Sequence, residues 1–153
     1  MEARITNLPK LAAGGFKALF QLEAFLAQSS VPHATLELVK LRASQINGCG
    51  YCVDMHSHDA KKAGETDERL FGVAAWRESP YFTDEERAAL ALTEAATRIA
   101  DSAGVPDDVW DAAADHYDEE SLAGLILAIA AINAWNRINV TARIPAGSGR
   151  KSA

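Results

Sequence analysis

The chain has no unbroken apolar run as long as the roughly 20 residues that a bilayer span requires. Its longest apolar run, Leu122 to Trp135, is interrupted by Gly124 and Asn133. We read that run as a buried core helix and expect no membrane partner. The N-terminus, Met1-Glu2-Ala3-Arg4-Ile5, lacks a charged-then-apolar run ending in a small-residue cleavage site. No secretory signal is expected, and the cytoplasm is the expected compartment. Basic charge is also short: 15 Lys and Arg stand against 21 Asp and Glu, a formal charge of −6. That balance favours solubility and argues against a general nucleic-acid surface. The one basic concentration near an end, Gly147 to Ser152 with Arg150 and Lys151, is too short and glycine-rich to specify DNA. Alternating β-branched runs are scarce, which argues against sheet, and no internal repeat or linker divides the chain.

What is present is helical. The 153 residues, 48% hydrophobic, suit one domain with a real core. Apolar periodicity predicts helices over Leu11–Gln28, Ala34–Ile46 and Cys49 to Lys62 or Ala63, the second stopped by Asn47-Gly48. A fourth opens at Thr66-Asp67-Glu68 and runs to Trp76. Thr83 with Glu86 forms a capping-box pattern that opens a fifth helix, to about Ala100. Pro106 suits the first turn of a sixth helix, to about His116. Glu119 or Glu120 opens the last, to about Asn139. The expected fold is all-α, a single-domain bundle of about seven helices over residues 1–142, followed by a loose tail over 143–153.

The chain holds only two cysteines, Cys49 and Cys52. In a reducing compartment such a pair is rarely a static staple, so redox chemistry and metal binding lead. Each helical residue turns about 100°, so Cys49, Cys52 and His56 fall within about 60° of one another on one stripe. Cys52 and His56 are one turn apart, within side-chain reach. Both sulfurs lie near the helix start, where free N–H groups and the helix dipole favour a thiolate. If the helices meeting at Asn47-Gly48 form an antiparallel hairpin, Glu37 and His56 sit at axial levels differing by only about 4–5 Å. Glu37 can then orient the imidazole or accept its proton, giving a Cys52–His56–Glu37 relay.

Glu37, Cys49, Cys52 and His56, with the small residues Ala60 and Gly64 continuing the same helix, resemble the signature of AhpD-like alkylhydroperoxidases in the carboxymuconolactone decarboxylase superfamily. Asn133-Ala134-Trp135-Asn136-Arg137 is similar to that family's last long helix. The resemblance implies an AhpD-like fold and thiol-dependent reduction of alkyl hydroperoxides. It makes Cys52 the peroxidatic thiol, which agrees with its one-turn pairing to His56, and Cys49 the resolving one; a thioredoxin-type analogy would choose Cys49 instead. It further implies a small-molecule hydroperoxide, an external dithiol reductant and a homo-oligomer, a trimer or hexamer. No cofactor and no metal ligand is assigned. One position departs from the family pattern: Tyr51 stands where its best-known members carry a second histidine before the second cysteine, and tyrosine is a poor base near neutral pH.

Competing readings remain beside this one. Zinc binding is disfavoured because the three nearest ligands share one helix, whereas structural zinc sites gather separate pairs. A muconolactone decarboxylase has no need of a thiol pair. A redox or metal sensor would be oxidised without turnover. His58 lies about 180° from Cys49 on its helix and is expected to face outward. His33 and His116 receive no role, and Trp76, Trp110 and Trp135 are expected as core or subunit contacts.

Overall fold

The computed structural model describes residues 2–149. The last four residues of the expected tail, Arg150 to Ala153, lie outside the described residues. The helices are α1 (Leu8–Leu11), α2 (Ala13–Leu26), α3 (His33–Ile46), α4 (Gly50–Lys62), α5 (Asp67–Gly72), α6 (Asp84–Thr97), α7 (Asp107–Ala114) and α8 (Glu119–Ala142). Among the described residues there is no strand. The fold is the expected all-α bundle, with eight α-helices among the described residues where about seven were predicted.

The extra helix comes from the N-terminal segment. The helix expected over Leu11–Gln28 is broken at Ala12, whose backbone is non-helical at φ −113°, ψ 38°. Gly14-Gly15 just beyond weakens helix propagation there, and α1 buries none of its own residues that could hold the two pieces in line. The helix expected to reach Trp76 turns 3-10 at Val73–Ala75. A Cβ at Gly72 would lie 3.3 Å from Ser79 Oγ, so the returning chain packs closely at this point. The capping box at Thr83 and Glu86 forms as the sequence predicts.

Helix α3 lies at the centre, packed against α4, α6 and α8. Val39 of α3 joins Leu92 of α6 and Leu125, Ala128 and Ile129 of α8 in one buried cluster. Leu38 and Leu41 join Val73, Trp76, Phe82 and Leu90 in a second. Helix α8 is long and apolar enough to cross a membrane by length and composition, but half of its most apolar window is buried inside the bundle. It is a core helix.

The central position of α3 also buries polar side chains, and each has a partner. Glu94 of α6 accepts from Trp76 Nε1 at 3.0 Å and Arg42 Nε at 2.7 Å, and also from Arg77. Asn47 Nδ2 donates to Asn133 Oδ1 and Asn136 Oδ1, both at 2.9 Å, and Asn136 Nδ2 donates to Ser44 Oγ at 3.0 Å. These amide bonds fasten the end of α3 to α8. Among the described residues no buried side-chain nitrogen or oxygen lacks a partner, as a well-packed interior requires.

Candidate active site

The turn between α3 and α4 does two jobs in three residues. Gly48 adopts the left-handed conformation at φ 65°, which glycine reaches without steric penalty. Its N–H bonds Gln45 O at 3.3 Å and the N–H of Cys49 bonds Ser44 O at 3.0 Å, closing α3 in a Schellman motif. Cys49 is at once the residue that completes this stop and the N-cap of α4, its Sγ accepting from Cys52 N at 3.3 Å. The Cys-x-x-Cys segment is thus fixed by the hairpin that the sequence predicts.

Cys49 and Cys52, with Cα atoms 5.3 Å apart, are joined as a disulfide. Both are buried with Ala43 and Ile132, and Tyr51 and Trp135 pack against the group. Asn139, three residues beyond Asn136 on the same face of α8, donates from Nδ2 to Cys52 Sγ at 3.3 Å. Sequence reasoning did not single out Asn139. Its signal was the recurrence of asparagine at 133, 136 and 139, a stripe with near-helical spacing.

His56 lies one turn after Cys52, and its Nδ1 is 2.9 Å from Glu37 Oε2. Both side chains are buried. The sequence-derived site residues Glu37, Cys49, Cys52 and His56 are therefore brought together. Burial raises the affinity of the Glu37 carboxyl for a proton. The hydrogen bond from His56 and the electrostatic pull of His56, Lys40 and His33 more than offset it, holding the carboxyl below its ordinary value of 4.5. An ionised carboxylate only accepts, so Nδ1 of His56 carries the shared proton and Nε2 is left as the basic nitrogen. Lys40 Nζ lies 3.8 Å from Glu37 Oε1 and 2.8 Å from Glu23 Oε2, whose Oε1 accepts from Trp135 Nε1 at 3.1 Å.

These groups face a cavity of about 440 Å³. Its lining holds Cys52, His56, Glu37 and Asn139 together with the apolar Leu8, Pro9, Phe16, Phe20 and Trp135 and the charged Glu23, Lys40 and Asp59. Cys52 borders this cavity and Cys49 does not. Glu37 also borders a second cavity, of about 390 Å³, with His33 and Arg69. His33 received no role from the sequence; its position one turn before Glu37 on α3 was the available sign of its influence on that carboxyl. His58 is half exposed and bonds Asp54 O through Nδ1 at 2.7 Å, on the outward side as expected. Trp76 is buried, Trp110 is 40% exposed and Trp135 faces the cavity. Among the described residues, no group of three or more His, Cys, Asp or Glu side chains is placed to hold a metal ion. The chain after α8 returns to the site: Gly147 N donates to Asp54 Oδ2 at 3.1 Å, and Ile144 borders the cavity.

Residues 13–95 match the carboxymuconolactone decarboxylase family. The chain is 44% identical over 131 residues to the uncharacterized protein YdfG of Bacillus subtilis, a match covering 86% of this chain and 88% of that one. A solved structure from Agrobacterium tumefaciens, a protein of unknown function with a suggested AhpD antioxidant-defence role, is 39% identical and superposes with a TM-score of 0.90 over 95% of this chain and 98% of that one. The debrominase Bmp8 shares the fold at 25% identity and a TM-score of 0.75, over 89% of this chain and 71% of its own. The helical frame that carries the thiol pair is AhpD-like, and the protein belongs to the carboxymuconolactone decarboxylase family.

Proposed function

We propose that the protein is a thiol-dependent peroxidase that reduces organic hydroperoxides through Cys52, with Cys49 as the resolving thiol and His56 and Glu37 as the proton relay. The observation that carries this reading is the 2.9 Å buried contact between His56 Nδ1 and Glu37 Oε2, one turn from a disulfide-forming cysteine that borders an accessible cavity. In the reduced protein, His56 takes the Cys52 proton through Nε2 while Glu37 holds the ring in that tautomer. The Cys52 thiolate attacks one peroxide oxygen and the O–O bond breaks. The sulfur becomes a sulfenic acid, and the alkoxide takes the proton from His56 and leaves as the alcohol. Cys49 then attacks Cys52 Sγ, water departs, and the disulfide forms. An external dithiol returns both sulfurs to thiols and is itself oxidised.

Two features support Cys52 as the attacking sulfur. It is the cysteine that borders the cavity, and it accepts from Asn139, a donor that favours its anionic form. Tyr51 also borders the cavity, in the position where the best-known AhpD proteins carry a second histidine, and the reading gives all the base chemistry to His56. Self-association as a trimer or hexamer belongs to the same proposal, with exposed Phe25, Phe71 and Ile126 as apolar surface available to it. So does a cytoplasmic location, where dithiol reductants are maintained.

The decisive experiment measures hydroperoxide consumption with dithiothreitol as reductant for the wild type, Cys52→Ser and Cys49→Ser. Turnover is expected in the wild type and none in Cys52→Ser, while Cys49→Ser turns over only as fast as dithiothreitol itself reduces the sulfenic acid. Full activity of Cys52→Ser would remove the assignment, and stoichiometric oxidation of the wild type without turnover would make the protein a sensor.

A further inference from the structure

The size and lining of the cavity deepen the peroxidase reading, on which the reaction part of this inference rests. Hydrogen peroxide is little larger than a water molecule, whose share of liquid volume is about 30 Å³. The cavity beside Cys52 is about 440 Å³, within the range that encloses small organic ligands. Its lining holds the polar groups next to Cys52, the charged Glu23, Lys40 and Asp59, and an apolar wall in which Phe16, Phe20 and Trp135 supply the aromatic surface.

That wall is made by two elements far apart in sequence. Phe16 and Phe20, one turn apart on α2, meet Trp135 of α8 with ring centroids 5.6 and 5.4 Å away. The Phe16 contact is edge-on and the Phe20 contact tilted. Trp135 is fixed in orientation by its hydrogen bond to Glu23, which in turn holds Lys40. Phe20 is nevertheless 60% exposed. A large ring anchored against tryptophan yet left open beside a cavity adds little to the core and much to the recognition of an apolar guest.

We propose that the substrate is a hydroperoxide with an aryl body, and that Phe20, with Phe16 and Trp135, determines this specificity. The hydroperoxide group lies at Cys52, within the reach of Asn139 and His56, and the aryl ring packs on the aromatic wall. A small alkyl hydroperoxide meets the same polar groups and gains nothing from the wall.

The test compares kcat/KM for cumene hydroperoxide, tert-butyl hydroperoxide and hydrogen peroxide in the wild type, Phe20→Ala and Phe20→Leu, with dithiothreitol as reductant. The wild type is expected to prefer the aryl substrate. Phe20→Ala should lose about 3- to 10-fold on cumene hydroperoxide, mainly through KM, the range expected for one lost aromatic contact, and Phe20→Leu should recover part of it. The tert-butyl value should stay within about twofold, since that substrate does not reach the contact. A cooperative melting transition lowered by no more than a few degrees, as expected for losing one aromatic contact, shows that the fold is intact.

A second measurement separates the two readings. Binding of 2-phenyl-2-propanol, the unreactive alcohol product, is followed by tryptophan fluorescence in the same variants. Binding that weakens in Phe20→Ala without any peroxide turnover would retain the aryl site and remove the peroxidase reading. Peroxide turnover with equal loss on all three substrates, or with no preference for the aryl one, would overturn the aryl assignment and leave the peroxidase reading standing. Absence of both turnover and alcohol binding would overturn both.

Discussion

Asn139 Nδ2 donates to Cys52 Sγ at 3.3 Å, joining the last helix to the thiol pair across 87 residues of sequence. In the oxidised protein this is a weak contact to a disulfide sulfur. In the reduced protein the same donor would meet a thiolate, and hydrogen bonds to charged groups contribute about 1.5–3 kcal/mol. Asn139→Leu, which removes the donor and keeps the volume, is therefore expected to shift thiolate formation to higher pH. It should slow peroxide oxidation of Cys52 by about tenfold at neutral pH, the lower end of that energy. Ultraviolet thiolate absorbance against pH, together with stopped-flow peroxide oxidation, measures both. An Asn139→Leu variant that keeps the wild-type titration would reduce the amide to packing.

Acid stability follows from two buried carboxylates. Glu37 and Glu94 are each pushed up by burial, and each is brought below its ordinary 4.5 by its partners: His56, Lys40 and His33 for Glu37, and Arg77, Trp76 and Arg42 for Glu94. A carboxyl with a depressed folded value binds fewer protons when folded than when unfolded. Stability is then fully present above pH 4.5 and falls as pH drops through the folded values. Chemical denaturation from pH 7 to pH 3 should show a steeper loss below pH 4.5 in the wild type than in Glu37→Gln or Glu94→Gln. Parallel curves would mean that neither carboxylate carries the linkage.

The hairpin, its cap and the four-residue site were legible because each rests on local chemistry: a left-handed glycine, a helix period and a carboxylate at matching depth. The helix expected over Leu11–Gln28 carried a visible weak point at Gly14-Gly15, but the break at Ala12 and the short helix before it were not legible, because they depend on the lack of tertiary burial for α1. Asn139 and the aromatic wall were illegible for another reason. Phe16, Phe20 and Trp135 are ordinary apolar helix residues in sequence, and only the packing of α2 against α8 places them on one cavity. His33 acts on Glu37 through charge, and its place one turn earlier on α3 was the sign that the sequence carried.

The order of the two sulfurs has its own consequence. If Cys52 attacks and Cys49 resolves, Cys49→Ser stops after one event with Cys52 held as a sulfenic acid. Cys49→Ser should then consume about one equivalent of hydroperoxide per chain and Cys52→Ser none, in line with the oxidation ladder of a lone reactive thiol. Intact mass and sulfenic-acid trapping read this directly. A reversed pattern, with stoichiometric consumption by Cys52→Ser, would assign the attack to Cys49.

Gly48 offers a test of how the fold sets the chemistry. A Cβ placed there meets nothing within 4 Å, so Gly48→Ala introduces no clash with the surroundings; its φ of 65° is the difficulty. Holding an L-residue in the left-handed conformation costs about 1–2 kcal/mol, which urea denaturation should report as a lowered midpoint with an unchanged slope. The strain falls on the residue whose two neighbours are the amide-anchored Asn47 and the cap Cys49. If the chain relieves it by loosening the Cys49 N–H to Ser44 O bond, Cys49 shifts relative to Cys52, and the disulfide should form more slowly after peroxide oxidation. Lowered stability with wild-type disulfide formation would show that the amide bonds of Asn47 to α8 are enough to hold the turn. Slowed formation would show that the left-handed glycine itself sets the distance between the two sulfurs.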